Sequence, residues 1–88
     1  MWNFEINNNG NTAEDIKGRF VDVVSACHKL EGALASLHEA VNGRNYQTLR
    51  DGQELREKDL QIYRDMVEAI RKVHDIAMNG AIKAHKSL

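Results

Sequence analysis

Histidine and cysteine are the residues of this sequence whose side chains are best suited to metal binding or nucleophilic catalysis. The chain contains His28, His38, His74 and His85 and a single cysteine, Cys27. Their spacing matches neither the His-Glu-x-x-His pattern of zinc enzymes nor the Glu-x-x-His pairs of di-iron bundles. We therefore predict that the histidines are solvated surface residues, and we expect no metal ligand and no cofactor.

Cys27 and His28 are adjacent, which raises the question of a nucleophile beside its base. Neighbouring residues on a helix point about 100° apart, so these two side chains cannot face each other. Cys27 also falls on an apolar helical stripe, where a free cysteine usually behaves as a small hydrophobic residue. The sequence also lacks a glycine-rich phosphate loop, a serine elbow and a calcium loop. We predict no catalytic residue and no enzyme activity.

The elements that position these residues are indicated by an apolar pattern that runs from Ala13 to Val41. Its steps alternate between three and four residues, which is typical of a single stripe along an α-helix. The stripe includes Ile16, Phe20, Val23, Cys27, Leu30, Leu34 and Leu37. Each large apolar side chain gains roughly 1.5 to 3 kcal/mol on full burial. A second helix is therefore expected to cover the stripe.

A matching stripe follows in the second half of the chain and contains Tyr63, Met66, Ile70 and Val73. We predict helix 1 over about 12–42, a turn at about 43–47 and helix 2 over about 48–86. Starts at Asn45, Thr48 and Asp51-Gly52 are all compatible with turn and capping preferences. Asn79-Gly80 is a possible early end of helix 2, because glycine and asparagine favour helix C-termini.

Capping signals support the predicted limits of helix 1. Thr12 precedes Asp15 by three residues, so the threonine hydroxyl is expected to accept a hydrogen bond from an early backbone N–H. Asn42-Gly43 is expected to end the helix, since glycine adopts the left-handed C-cap conformation without a steric clash. Two long helices joined by a short turn form an antiparallel hairpin, which we assign to residues 12–88.

The composition places the chain in the all-α class and favours association. The chain has 88 residues, no proline and 28% charged residues, and a chain this short buries little surface by itself. Apolar residues that flank the stripes either widen the core of one hairpin or pair two hairpins into a four-helix bundle, and we favour pairing. These residues are Val21, Val24, Ala26, Ala33, Ala35, Ile62, Ala69, Ile76 and Ile82.

Residues 1–11 are predicted to form an extended or flexible arm, since apolar and polar residues alternate before an asparagine-rich run. The arm is either a frayed terminus or a segment in which Trp2 and Phe4 anchor on the hairpin or on a partner. The net charge of −1 provides no basic excess for nucleic acid. We also predict no membrane span and no cleavable signal peptide.

The predicted bend carries the residues Val41-Asn42-Gly43, and here the chain resembles the WXG-motif family of type VII secretion. Members of that family are small helical hairpins with a Trp-x-Gly motif at the bend, and they leave the cell without a signal peptide. In this chain valine replaces the tryptophan while the glycine is kept. With this variant bend the chain alternatively resembles the small helical accessory proteins of LXG toxins, although their Phe-x-x-x-Asp pattern is absent.

The resemblance implies a protein that is cytoplasmic before export and pairs with itself or with another small helical chain, or with the helical N-terminal region of a larger toxin. It would be a secreted substrate, or the targeting partner or chaperone of an effector. The family's Tyr-x-x-x-Asp/Glu export signal is absent, because Tyr63 is followed four residues later by Val67. A partner would then supply the signal. The alternative hypothesis is a cytoplasmic coiled-coil module, structural or regulatory, that is unrelated to secretion.

Overall fold

A computed structural model of the chain shows two long α-helices that pack against each other along their length. The structure describes residues 1–6, 12–41, 46 and 50–88. Helix α1 spans Ala13–Val41 and helix α2 spans Gly52–His85. The predicted all-α hairpin is confirmed.

The N-terminus of α1 is capped as its sequence predicts. The Thr12 hydroxyl accepts a hydrogen bond from the Asp15 backbone N–H at 3.2 Å. Glu14 and Asp15 lie in the first turn, where negative charge is favourable beside the positive end of the helix dipole. At the other end, α1 finishes at Val41, and the predicted cap Asn42-Gly43 lies outside the described residues.

Helix α2 begins at Gly52, later than the start near residue 48 that we favoured from the sequence. Arg50 and Asp51 form a turn before it, and the Leu55 N–H donates to the Asp51 carbonyl at 3.0 Å. A Cβ at position 52 would collide with the backbone carbonyl of Tyr46. Glycine at the first position of α2 therefore lets the preceding chain pass close to the helix.

Helix α2 continues through Asn79-Gly80 to His85, so the possible early end at these residues is not used. The reason lies in α1, because a Cβ at position 80 would overlap the aromatic ring of Phe20. The glycine thus provides space for the Phe20 ring to lie directly against the backbone of α2. A tertiary contact explains this glycine better than a helix-terminating preference does.

Replacing Gly80 with alanine is expected to lower the free energy of unfolding by about 1 to 2 kcal/mol, because displacing the packed Phe20 ring outweighs the higher helix propensity of alanine. Gly32→Ala is the matched control, since a Cβ there meets nothing within 4 Å. The control should gain up to about 1 kcal/mol. Urea unfolding followed by circular dichroism measures both, and equal gains for the two variants would contradict the contact.

The hairpin is elongated, with extents of 63 × 20 × 16 Å. Its radius of gyration is 19.0 Å, whereas a compact chain of this length has about 12 Å. Its accessible surface is 6775 Å², against roughly 5,200 Å² for a compact monomer of the same mass. The protein therefore leaves more surface in contact with solvent than a globular domain of its size.

The core along the hairpin is thin. The buried apolar residues among those described are Ala13, Cys27, Leu34, Leu60, Ile70, Ala77, Ala81 and Ala84. Tyr63 and Val67 pack against the cluster of Cys27, Leu34 and Ile70, and Cys27 is a buried free thiol. Half of these buried residues are alanines. The large buried side chains of the core are Leu34, Leu60 and Ile70.

Candidate interaction surface

The predicted stripe on α1 divides into two rows with different surroundings. Cys27 and Leu34 face α2 and are each 6% exposed. The other row consists of Val23, Leu30 and Leu37, which are 41%, 49% and 43% exposed. Only one of the two rows is therefore used to close the hairpin.

The contact of α1 with α2 is completed by the row on the other side of Cys27 and Leu34. Val24 and His38 in that row are half-buried, and so is Val41, which continues the row of Cys27 and Leu34. A hairpin helix has one neighbour, which covers a strip about two heptad rows wide. Here the strip includes the less apolar flanking row, and the row of valine and leucine faces outward.

The predicted stripe on α2 also divides into residues that face α1 and residues that are exposed. Ile70 is buried and Tyr63 packs beside it, whereas Met66 and Val73 of the same predicted stripe are 37% and 49% exposed. Near the open end of the hairpin, Ile16 and Phe20 of α1 are half-buried. The structure therefore brings part of the predicted seam together and leaves five of its members at the surface.

The exposed rows of the two helices lie on one side of the hairpin. Val23 and Val73 meet in a pocket of about 200 Å³ that also involves Trp2, Phe20, Ile76 and Ala77. Residues at heptad spacing share one side of a helix, so the remaining members continue along the same side. We call Val23, Leu30, Leu37, Met66 and Val73 the apolar side.

Further exposed apolar residues widen the apolar side. Ala26 and Ala33 lie three residues after Val23 and Leu30, and they are exposed. Ile62 and Ala69 precede Met66 and Val73 by four residues, and Ile62 is 58% exposed. Side chains three or four residues apart are neighbours on a helix surface. The apolar side is thus about two rows wide on each helix.

The opposite side of the hairpin carries the histidines. His28 and His74 lie with ring centroids 5.3 Å apart, and His38 lies against Tyr63 at 4.8 Å. Lys17 Nζ and His85 Nδ1 are 3.0 Å apart. The sequence predicts solvated surface histidines. His28 and His85 are exposed, whereas His38 and His74 are half-buried, and the sequence gives no signal that two of the histidines meet.

The N-terminal arm docks on the hairpin beside the apolar side. The Trp2 indole N–H donates to the Ile76 carbonyl at 2.8 Å, and its ring packs edge-on to Phe20 with centroids 4.8 Å apart. The Lys83 ammonium donates to the Trp2 carbonyl at 2.8 Å. Trp2 remains 37% exposed, so an aromatic surface extends one end of the apolar side.

Phe4 completes the arm contact. Its ring stacks on Phe20 at 5.7 Å, and Lys83 Nζ lies 4.8 Å from its centroid. The sequence left open whether the arm is frayed or whether Trp2 and Phe4 bind the hairpin or a partner. In the structure both side chains pack on the hairpin itself. Residues 7–11 of the predicted arm lie outside the described part of the chain.

A tyrosine near the bend is held by an aspartate of α2. The Tyr46 hydroxyl donates a hydrogen bond to the Asp59 carboxylate. This hydrogen bond, partial desolvation and repulsion between the phenolate and the carboxylate raise the pKa of Tyr46 above its usual value of 10.0. The contact links the connecting segment to the first turns of α2.

The raised pKa of Tyr46 can be measured by ultraviolet titration of the Tyr63→Phe variant, in which Tyr46 is the remaining tyrosine. The folded chain holds this proton more tightly than the unfolded chain. Its contribution to stability is therefore present below about pH 10 and is lost as the pH rises through the raised pKa. Adding Asp59→Ala should lower the phenolate midpoint, and adding Asp65→Ala should leave it unchanged. Identical midpoints for both double variants would contradict the interaction.

The described helices contain no stretch that is long and apolar enough to span a membrane. Comparison with known proteins found no matching family model, no matching curated protein and no matching solved structure.

Proposed function

We propose that this chain is a non-enzymatic helix-pairing protein of a type VII secretion system. It acts as a secreted substrate, or as the targeting partner or chaperone of a larger effector, by pairing its apolar side with a second helical hairpin. The observation that carries the proposal is the outward-facing row of Val23, Leu30 and Leu37, each more than 40% exposed.

The extent of the apolar side supports pairing over a solitary hairpin. The row on α1 runs for about 20 Å at 1.5 Å per residue, and Met66 and Val73 continue it on α2. Soluble monomers rarely expose contiguous apolar patches of more than a few hundred Å², and larger ones mark interaction sites. Two hairpins that bury these sides against each other form a four-helix bundle.

The link to secretion is supported by the two-helix architecture and by the sequence at the end of α1. The chain is a two-helix hairpin of 88 residues. Val41 is the last residue of α1, and Asn42-Gly43 follow it in the sequence. The same size and layout characterise the family that the sequence resembles. Partners of matching chemistry are a second copy, another small helical chain, or the helical N-terminal region of a toxin.

Light scattering coupled to size-exclusion chromatography tests the pairing. The purified chain is expected to have the mass of two copies, and Leu30→Glu or Val73→Glu should reduce it to one copy without loss of helical circular dichroism. Gln53→Glu is the matched control, because Gln53 is an exposed residue of α2 outside the apolar side. A folded wild-type chain that stays monomeric at high concentration would contradict self-pairing.

Export assays test the secretion assignment separately. In the cells that produce this chain, removal of the type VII ATPase should abolish its appearance, or that of its effector partner, in the medium. The Leu30→Glu variant should show the same loss although it folds. Unchanged export without the ATPase would exclude a type VII role. Absence of the chain and of any effector partner from the medium of unmodified cells would favour a cytoplasmic coiled-coil module.

A further inference from the structure

We propose that His28 and His74 together bind a divalent transition-metal ion, such as Zn²⁺, Ni²⁺ or Cu²⁺, across the two helices. The residues are far apart in sequence, yet their rings lie 5.3 Å apart with an interplanar angle of 55°. Imidazole nitrogens suit each of these metals. The site is on the side opposite the apolar side, so this inference is independent of helix pairing.

The separation of the rings fits a shared ion. Imidazole nitrogens lie about 2.0 to 2.1 Å from zinc, so two rings that bind one ion at the tetrahedral angle have centroids roughly 5 Å apart. The observed 5.3 Å therefore needs no movement of the helices toward each other. The planes of the His28 and His74 rings are tilted by 55°. The rings are therefore not stacked in parallel, an arrangement in which their nitrogen atoms would not point toward a common ion.

The position of His74 in α2 sets it apart from an ordinary surface histidine. His74 lies four residues after Ile70 and three residues before Ala77, and both of these neighbours are buried. The His74 side chain is 28% exposed. Its Nδ1 is 3.2 Å from Asp75 Oδ1. A carboxylate that accepts from one imidazole nitrogen leaves the other free and orients the ring for a metal.

Charged side chains surround the pair. Asp75 contacts His74, while Glu31 and Arg71 lie one helical turn from His28 and His74 and share a cleft with each other. The described residues contain no group of three or more His, Cys, Asp and Glu side chains arranged for a metal. Water would therefore complete the coordination.

Isothermal titration calorimetry of the full chain with ZnCl₂ and NiCl₂ tests the site. We expect one ion per hairpin at neutral pH. His28→Ala and His74→Ala should each abolish binding, whereas His85→Ala should retain it. Asp75→Asn should weaken binding by about 10- to 100-fold, as is typical for a ligand-orienting carboxylate.

Electron paramagnetic resonance of the Cu²⁺-loaded chain provides a second readout that does not depend on affinity. The spectrum should show nitrogen couplings from two imidazoles, and this two-imidazole signal should be absent from either single variant. Circular dichroism establishes that each variant is folded. Wild-type affinity in folded His28→Ala or His74→Ala, or coupling to one nitrogen in the wild type, would overturn the proposal.

Discussion

Truncation of Leu34 to alanine is expected to lower the free energy of unfolding by about 2 to 5 kcal/mol, the usual cost of removing a buried leucine side chain. Leu34 is 6% exposed and belongs to the central cluster with Cys27 and Ile70. A domain of this length has a total stability of about 4 to 13 kcal/mol. The variant should therefore be largely unfolded in mild urea.

Leu30→Ala is the matched control because it removes the same atoms from the same helix. Leu30 is 49% exposed, so we expect a loss below about 1 kcal/mol in the unpaired chain. Urea unfolding at low protein concentration separates the two, since dilution removes the contribution of pairing to apparent stability. Equal losses would mean that both rows of α1 are buried in the hairpin.

Replacing Trp2 with alanine is expected to produce the second large loss, about 2 to 3 kcal/mol, because Trp→Ala in a core costs about 3 to 5 kcal/mol and this ring is partly exposed. The change removes the hydrogen bond to the Ile76 carbonyl and the ring contact with Phe20. It also leaves the Phe20 ring without one of its aromatic neighbours. Urea unfolding measures the loss.

Trp2→Phe separates the two parts of this effect. Phenylalanine retains a ring against Phe20 but has no N–H donor, so its cost should be close to the 0.5 to 1.5 kcal/mol of one hydrogen bond. Trp2 is the single tryptophan, so its fluorescence in the wild type reports on the arm directly. Wild-type stability in Trp2→Ala would contradict docking of the arm.

The hairpin could be predicted from the sequence because its signals are local and repeat. Three- and four-residue steps run along both helices, and the Thr12 cap forms as its hydroxyl and the following acidic residues predict. The pattern could not show which flanking row of α1 meets α2. Leu30 and His38 lie on opposite sides of the central row, and hydrophobicity alone favours burial of the leucine.

Other features depend on contacts between residues that are distant in sequence. Gly80 has the local signature of a helix end, and its role is clear only when the Phe20 ring is seen against it. The approach of His28 to His74 depends on the register of the two helices, which is set by packing along their whole length. Neither feature produces a motif that could be detected within a single segment of the sequence.

The most direct test of the central claim is the alkylation rate of a thiol placed on the apolar side, in the variant Cys27→Ala, Leu30→Cys. If the apolar side is a pairing surface, the rate should fall by about tenfold or more as protein concentration rises and the surface becomes covered. The same thiol at position 53, in Cys27→Ala, Gln53→Cys, should react at a constant rate. A rate at position 30 that stays equal to that at position 53 at every concentration would contradict the claim.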